Sequence, residues 1–297
     1  MVTPFTCDGG LDLPRAQALA ASLVGDGRLG GSDGLVLAGT TGEAPTLTQQ
    51  EQVLLVQAVR DALGPAVPLV VGASSNATAH AVELAQAAEK AGADAVLVTA
   101  PYYNRPPQEG VRAHALAVAD AVGIPVVLYD IPLRTGVAFS ADTLVRLAEH
   151  PGIVAVKDAK GDLASTSWVL ATSDLTVYSG DDVLTLPFLA VGAVGVVSTI
   201  AHVAGRRVAA MVAAYEQGRP VEAAALHRAL LPVCTGITRS QAAITVKAAL
   251  ALLGEPVGSL RLPLLPASAA EVEQLRADLV AGGVPVADGS GWAGGAA

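Results

Sequence analysis

Lysine is nearly missing from this chain. Lys90, Lys157, Lys160 and Lys247 stand against fourteen arginines, so almost all positive charge is of the kind that keeps its proton in any protein environment. Basic tracts are missing too. With 27 acidic residues to 18 basic ones and a net charge of −9, the overall field repels polyanions, which excludes nucleic acid as a partner and leaves small molecules. Cysteine is as scarce. Cys7 and Cys234 are too few for a disulfide framework, and no charged leader with an apolar core precedes the first strand-like runs, so a cytoplasmic location is expected.

Familiar site motifs are absent as well. His80, His114, His150, His202 and His227 show neither HExxH nor another paired-ligand spacing, which argues against a metal site. "GTTGEAPT" (39–46) lacks the lysine and spacing of a phosphate loop, no GxGxxG follows a strand-like run, and no GxSxG elbow occurs. No cofactor is implied. Val183 to Gly205 has no formal charge and is about long enough for a bilayer. It carries Pro187, Gly192, Gly195, Ser198, Thr199 and His202, however, so it reads as a helix, a tight glycine turn and a buried strand, with no membrane span.

What the chain has in quantity is core material, with 52% apolar residues and a mean hydropathy of +0.50 over 297 residues. Short apolar runs recur at 33–39, 67–72, 94–100, 124–130, 152–158, 175–181 and 194–199, with "MVTP" as an eighth strand. Between them, 48–63, 78–92, 108–122, 140–149 and 162–173 have helical spacing, with starts at Thr48, Thr78, Ser140 and Asp162. Eight βα units over the first 217 residues fit a closed (β/α)8 barrel better than an open doubly wound sheet. We therefore expect a barrel over 1–218. Helices without strands over 221–234, 240–253 and 268–281 would form a helical subdomain over 219–283, and a Gly/Ala-rich tail over 284–297 would be disordered.

Barrel chemistry sits at the C-terminal ends of strands. There the sequence places "GTTGE" (39–43), "GASSN" (72–76), "PYYNRP" (101–106), "YDIPLRTG" (129–136), "KD" (157–158), "SGDD" (179–182) and "ST" (198–199). Within "GIVAVKDAKGD" (152–162), Lys157 ends an apolar run. Either it reaches solvent or a carboxylate such as Asp158, or it points into the barrel mouth, where desolvation frees its amine to attack a carbonyl. Tyr129 ends the neighbouring strand, and Thr40, Thr41 and Tyr103 add hydroxyls able to pass protons. Arg134 and Arg105 are the guanidinium groups of these motifs, and Arg134 suits a substrate carboxylate. Lys160, past the strand, reads as a solvated charge.

Together "GTTGE", "PYYNRP", "YDIPxRTG", "VAVKD" and "SGDD" resemble the pyruvate-dependent aldolase family of dihydrodipicolinate synthase and N-acetylneuraminate lyase, from "MVTPF" to "RLPLLP" (261–266). The resemblance implies a (β/α)8 barrel in which Lys157 forms an imine with pyruvate and Tyr129, Thr40 and Tyr103 relay protons. Thr41 would hold the pyruvate carboxylate, with backbone contacts from Gly180 and Val197. It also implies a homotetramer built as a dimer of dimers, Tyr103 reaching the neighbouring subunit's site. Arg134 matches the synthases, where it holds the carboxylate of aspartate semialdehyde on the route to lysine and diaminopimelate; lyases of sialate or 2-keto-3-deoxy sugar acids usually lack it. A catalytically idle ketoacid-binding relative is the remaining alternative.

Departures from the family pattern carry expectations of their own. Asp130 stands where many members have asparagine and marks a subgroup. Lysine-inhibited members often have histidines at Gln49 and Gln52 and glutamate at His80; with Asn76 and Tyr102 these positions make up the corresponding allosteric site, and weak or absent lysine inhibition is expected. Members usually start several residues before "MVTPF", so a shortened first strand is expected.

Overall fold

The computed structural model describes residues 1–287. They divide into two compact units: Met1–Val67 together with the chain from Thr199 onward, and Pro68–Ser198.

The first unit opens with α1 (Leu13–Leu23), β1 (Leu35–Leu37) and α2 (Gln49–Leu63). Thr48 caps α2 in a reciprocal box with Glu51, which satisfies two otherwise orphaned backbone donors. Met1–Pro4 does not form the eighth strand. Its donors are used singly: the Met1 amine bonds the Val36 carbonyl at 2.6 Å, the Val2 N–H bonds His202 Nε2 at 3.0 Å, and Pro4 has no N–H to offer a ladder. Only isolated bridges from Phe5 to Leu11 and Gly258 follow.

The second unit carries the repeating pattern. In chain order it holds β2 (Leu69–Gly72), α3 (Thr78–Lys90), β3 (Ala95–Thr99), α4 (Gln108–Ala119), β4 (Val126–Asp130), α5 (Pro132–Thr135), α6 (Ala141–Ala148), β5 (Ile153–Asp158), α7 (Leu163–Thr172), β6 (Thr176–Ser179), α8 (Thr185–Val191) and β7 (Gly195–Val196). β2 to β7 pair in sequence order, each parallel to the next. This is the α/β arrangement that short, doubly covered apolar strands dictate. Val96, Val98, Val126 and Leu128 are fully buried on the central strands. Ser140 and Asp162 cap α6 and α7, as their positions suggest. Thr78 instead lies inside α3, whose cap is Ala77, and its hydroxyl meets the His114 ring at 2.9 Å.

The uncharged stretch from Val183 resolves into α8, a left-handed Gly192 at φ 112° and β7. Among the described residues no helix is long and apolar enough to cross a membrane.

The chain then returns to the first unit with α9 (Ala201–Glu216), α10 (Pro220–Thr238), α11 (Ala242–Leu252) and α12 (Ala269–Ala281). Here α11 meets the turn after β1. Lys247, buried in α11, pairs with the buried Glu43 at 2.7 Å and bonds the Ser259 carbonyl at 2.6 Å. Glu43 also accepts the Arg261 N–H at 3.0 Å, and Arg261 grips Glu51 at 2.5 Å. Both cations lie over the Phe5 ring, at 4.4 and 4.3 Å. Of the tail from 284, the described part has Val284 buried and the Ala287 N–H bonded to the Leu252 carbonyl at 2.8 Å; 288–297 lie outside the described residues.

Candidate active site

A register shift between β4 and β5 assembles the centre of the site. Val126 pairs with Ile153, but Val127 pairs with Ala155, so Val154 is an extra residue on β5. It is correspondingly 41% exposed, not buried as the apolar run suggests. Past the bulge Tyr129 stands opposite Lys157, and Lys157 opposite Tyr178 on β6. Lys157 Nζ comes to lie 4.1 Å from the centroid of the Tyr129 ring, and that tyrosine is buried.

The amine's surroundings weaken its hold on a proton. Desolvation pulls the Lys157 pKa from 10.5 down to about 8; the Asp182 carboxylate pulls it back up and the Arg134 guanidinium pushes it further down. Asp182 itself accepts a hydrogen bond from the Ser198 hydroxyl at 2.5 Å. Gly180 lies under the lysine stem, where a Cβ would come within 3.0 Å of Lys157 Cγ and 2.9 Å of Ala159 Cβ, so a side chain is excluded there. The Val197 N–H bonds the Ser179 carbonyl at 2.8 Å and holds the end of β7 beside β6.

Of the residues singled out in the sequence, Lys157, Tyr129, Gly180 and, through its charge, Arg134 come together. Arg134 is exposed on α5. Tyr103 has a left-handed backbone, φ 69°, and is 89% exposed in the single chain. Thr40 and Thr41 lie half-buried in the turn after β1, in the other unit, where the Thr40 carbonyl accepts the Glu43 N–H at 3.2 Å. In that unit Gln49 is exposed and Gln52 buried on α2. In the second unit His80 meets the Ser75 hydroxyl at 3.2 Å, the Asn76 carbonyl accepts from Asn104 at 2.7 Å, and Tyr102 is part-exposed.

Two groups escaped the sequence reading. Asp182 lies in the quoted "SGDD", yet nothing in a string of residues told which of its aspartates faces the lysine. Lys160 is not a solvated charge: it is largely buried, its ammonium 3.3 Å from the Asp130 carboxylate and 3.3 Å from the Phe139 carbonyl oxygen, to which it donates. Asp130 is fully buried at its side chain, and desolvation pushes its pKa up to about 6 against the opposing pull of Lys160.

Parallel strands wound with helices, one of them ending on a desolvated amine beside a phenol, define an α/β enzyme scaffold suited to carbonyl chemistry. The chain belongs to the dihydrodipicolinate synthetase family, whose model matches residues 1–281. It is 56% identical over 283 residues, 95% of this chain and 91% of the other, to the 4-hydroxy-tetrahydrodipicolinate synthase of Acidothermus cellulolyticus. Among solved structures it is similar to the dihydrodipicolinate synthase of Cyanidioschyzon merolae with lysine bound, at 40% identity and TM-score 0.91, covering 95% and 96% of the two chains. It is likewise similar to the chloride-inhibited enzyme of Acinetobacter baumannii complexed with pyruvate, at 36% identity and TM-score 0.91, covering 96% and 97%.

Proposed function

We propose that this chain is a 4-hydroxy-tetrahydrodipicolinate synthase, condensing pyruvate with L-aspartate 4-semialdehyde on the route to diaminopimelate and lysine. The observation that carries the mechanism is the Lys157 amine, 4.1 Å from the Tyr129 ring and pulled down to a pKa of about 8. A free amine attacks C2 of pyruvate. The Tyr129 phenol, with Thr40 and Tyr103, carries the amine's two protons in turn to the former carbonyl oxygen, the first giving the carbinolamine and the second letting the oxygen depart as water. Thr41 holds the pyruvate carboxylate, and the backbone at Gly180 and Val197 borders the imine.

Loss of a C3 proton gives the enamine, which attacks the aldehyde carbon of the semialdehyde. The substrate's own amine then adds to C2, closes the ring and expels Lys157. Arg134 holds the semialdehyde carboxylate, a planar fork matched to two oxygens. No cofactor or metal enters these steps. Residues 1–218 form the barrel that carries the site, with 219–283 as a helical addition. Tyr103, so exposed in one chain, completes the site of a neighbouring subunit in a tetramer of two dimers, and the enzyme is cytoplasmic. With Gln49, Gln52 and His80 where charged or imidazole ligands stand in inhibited relatives, lysine inhibits weakly or not at all.

Borohydride reduction with pyruvate is expected to leave a three-carbon adduct on Lys157; labelling at another residue, or none, would overturn the mechanism. A reductase-coupled assay with pyruvate and semialdehyde, run beside assays of pyruvate release from sialate and from keto-deoxygluconate, should show turnover of the semialdehyde alone.

A further inference from the structure

Arg134 rides on a short segment that leaves β4 at Asp130 and comes back at Phe139. Its middle is held locally: the Thr135 hydroxyl donates to the Ile131 carbonyl at 3.1 Å and the Val137 carbonyl at 2.7 Å, and Arg105 Nε donates to the Gly136 carbonyl at 3.1 Å. Its far end is held differently. The Phe139 N–H donates to Asp130 Oδ1 at 3.1 Å, its carbonyl accepts from Lys160 Nζ at 3.3 Å, and Lys160 Nζ lies 3.3 Å from Asp130 Oδ2. The Ser165 hydroxyl on α7 meets the same ammonium at 3.1 Å. Both polar groups of one backbone residue are thus gripped by an ion pair whose members stand at the ends of β4 and just past β5, immediately behind Tyr129 and Lys157.

We propose that the Asp130–Lys160 pair is a clamp that positions Arg134 and thereby sets the enzyme's affinity for its second, carboxylate-bearing substrate, without taking part in imine formation. Neither residue is catalytic: the register places Asp130 next to Tyr129 and opposite Asp158, one residue beyond the reacting pair. The physical reason is ordering. A segment pinned at both ends presents its guanidinium ready-made, whereas a segment released at Phe139 has to be ordered when the acceptor binds, and that entropy is taken from affinity. Arg134 reaches the Lys157 amine only through its charge, the smallest of the influences on it, whereas in this reading it holds the second substrate directly, so the two substrates separate the effect. The inference rests on the synthase reading for the role of Arg134.

The test uses the intact enzyme and two variants. Lys160→Met removes the ammonium at similar length, and Asp130→Asn keeps the oxygen that accepts from Phe139 but turns the rest of the group into a donor facing Lys160. Each is expected to raise the KM for aspartate semialdehyde at least fivefold. The pyruvate KM and the rate of borohydride-trapped imine should stay within twofold of the parent, and exchange of the Phe139 amide hydrogen should speed up at least tenfold. If Lys160→Met does not accumulate as folded protein, Asp130→Asn gives the same readings. An unchanged acceptor KM with unchanged Phe139 exchange overturns the clamp, and so does an equal loss of imine formation and acceptor use, which is the mark of a general structural role. Failure of the parent enzyme to trap pyruvate would strike the synthase reading instead, and Phe139 exchange would still decide whether the clamp exists.

Discussion

The lowered affinity of Lys157 for its proton is directly measurable because the chain has only four lysines. The shift from 10.5 to about 8 disfavours the ammonium by roughly 3 kcal/mol. At pH 8 about half of this amine is free, against about one part in 300 for an ordinary lysine. Protein labelled with 13C at lysine Cε resolves four titrating resonances, and the one lost in Lys157→Met belongs to Lys157. Its midpoint is expected at about 8. Asp182→Asn should move the midpoint down, because the carboxylate favours the charged form, and Arg134→Ala should move it up, because the guanidinium opposes it. A midpoint near the ordinary lysine value, or shifts of the opposite sign in the two variants, would refute the electrostatic account of the nucleophile.

The same group has a signature in stability. Because its folded pKa lies below the unfolded value, the native state binds fewer protons between pH 8 and 10.5, so stability rises with pH across that window by at most about 3 kcal/mol. Urea denaturation of parent and Lys157→Met over pH 7 to 10 should show the variant without that rise and more stable than the parent at neutral pH; parallel curves would contradict it. Lys247→Met strands the buried Glu43 carboxylate and should destabilise by about 3–5 kcal/mol, most of it recovered in the double variant with Glu43→Gln. A loss below about 1 kcal/mol would mean the pair is not buried as described. Thr48→Ala removes the α2 capping box and should lower stability by about 1 kcal/mol in the same denaturation experiment.

Much of the site was readable along the chain because parallel strands advertise themselves as short apolar runs and the polar residues after each run are few. Lys157, Tyr129 and Arg134 fell out of that rule. The bulge at Val154 did not, since one extra residue in a β-branched run leaves no mark on composition, yet it decides that Tyr129 faces Lys157 and not Val156. Lys160 was misread for a related reason. Its burial depends on Asp130 and Phe139 approaching from an earlier part of the chain, and spacing within "KDAKGD" contains nothing of that. Met1–Pro4 looked like a strand by its apolar character, but a ladder needs donors in series, and these are spent on Val36 and His202.

The ion pairs beneath the "GTTGE" turn also set an order in time. Glu43 has a left-handed backbone, φ 56°, and emerges from the ribosome 218 residues ahead of Arg261, which donates to its carboxylate. Until α11 and the Arg261 strap exist, that carboxylate lacks the Lys247 and Arg261 partners that accompany it into the interior, and the turn bearing Thr40 and Thr41 is held by its own backbone bonds and by the Thr3 hydroxyl on the Gly42 carbonyl. A nascent or truncated chain can therefore finish every strand of the repeating pattern before the ion pairs beneath the threonine turn exist, so the last part made is what locks the first part in place.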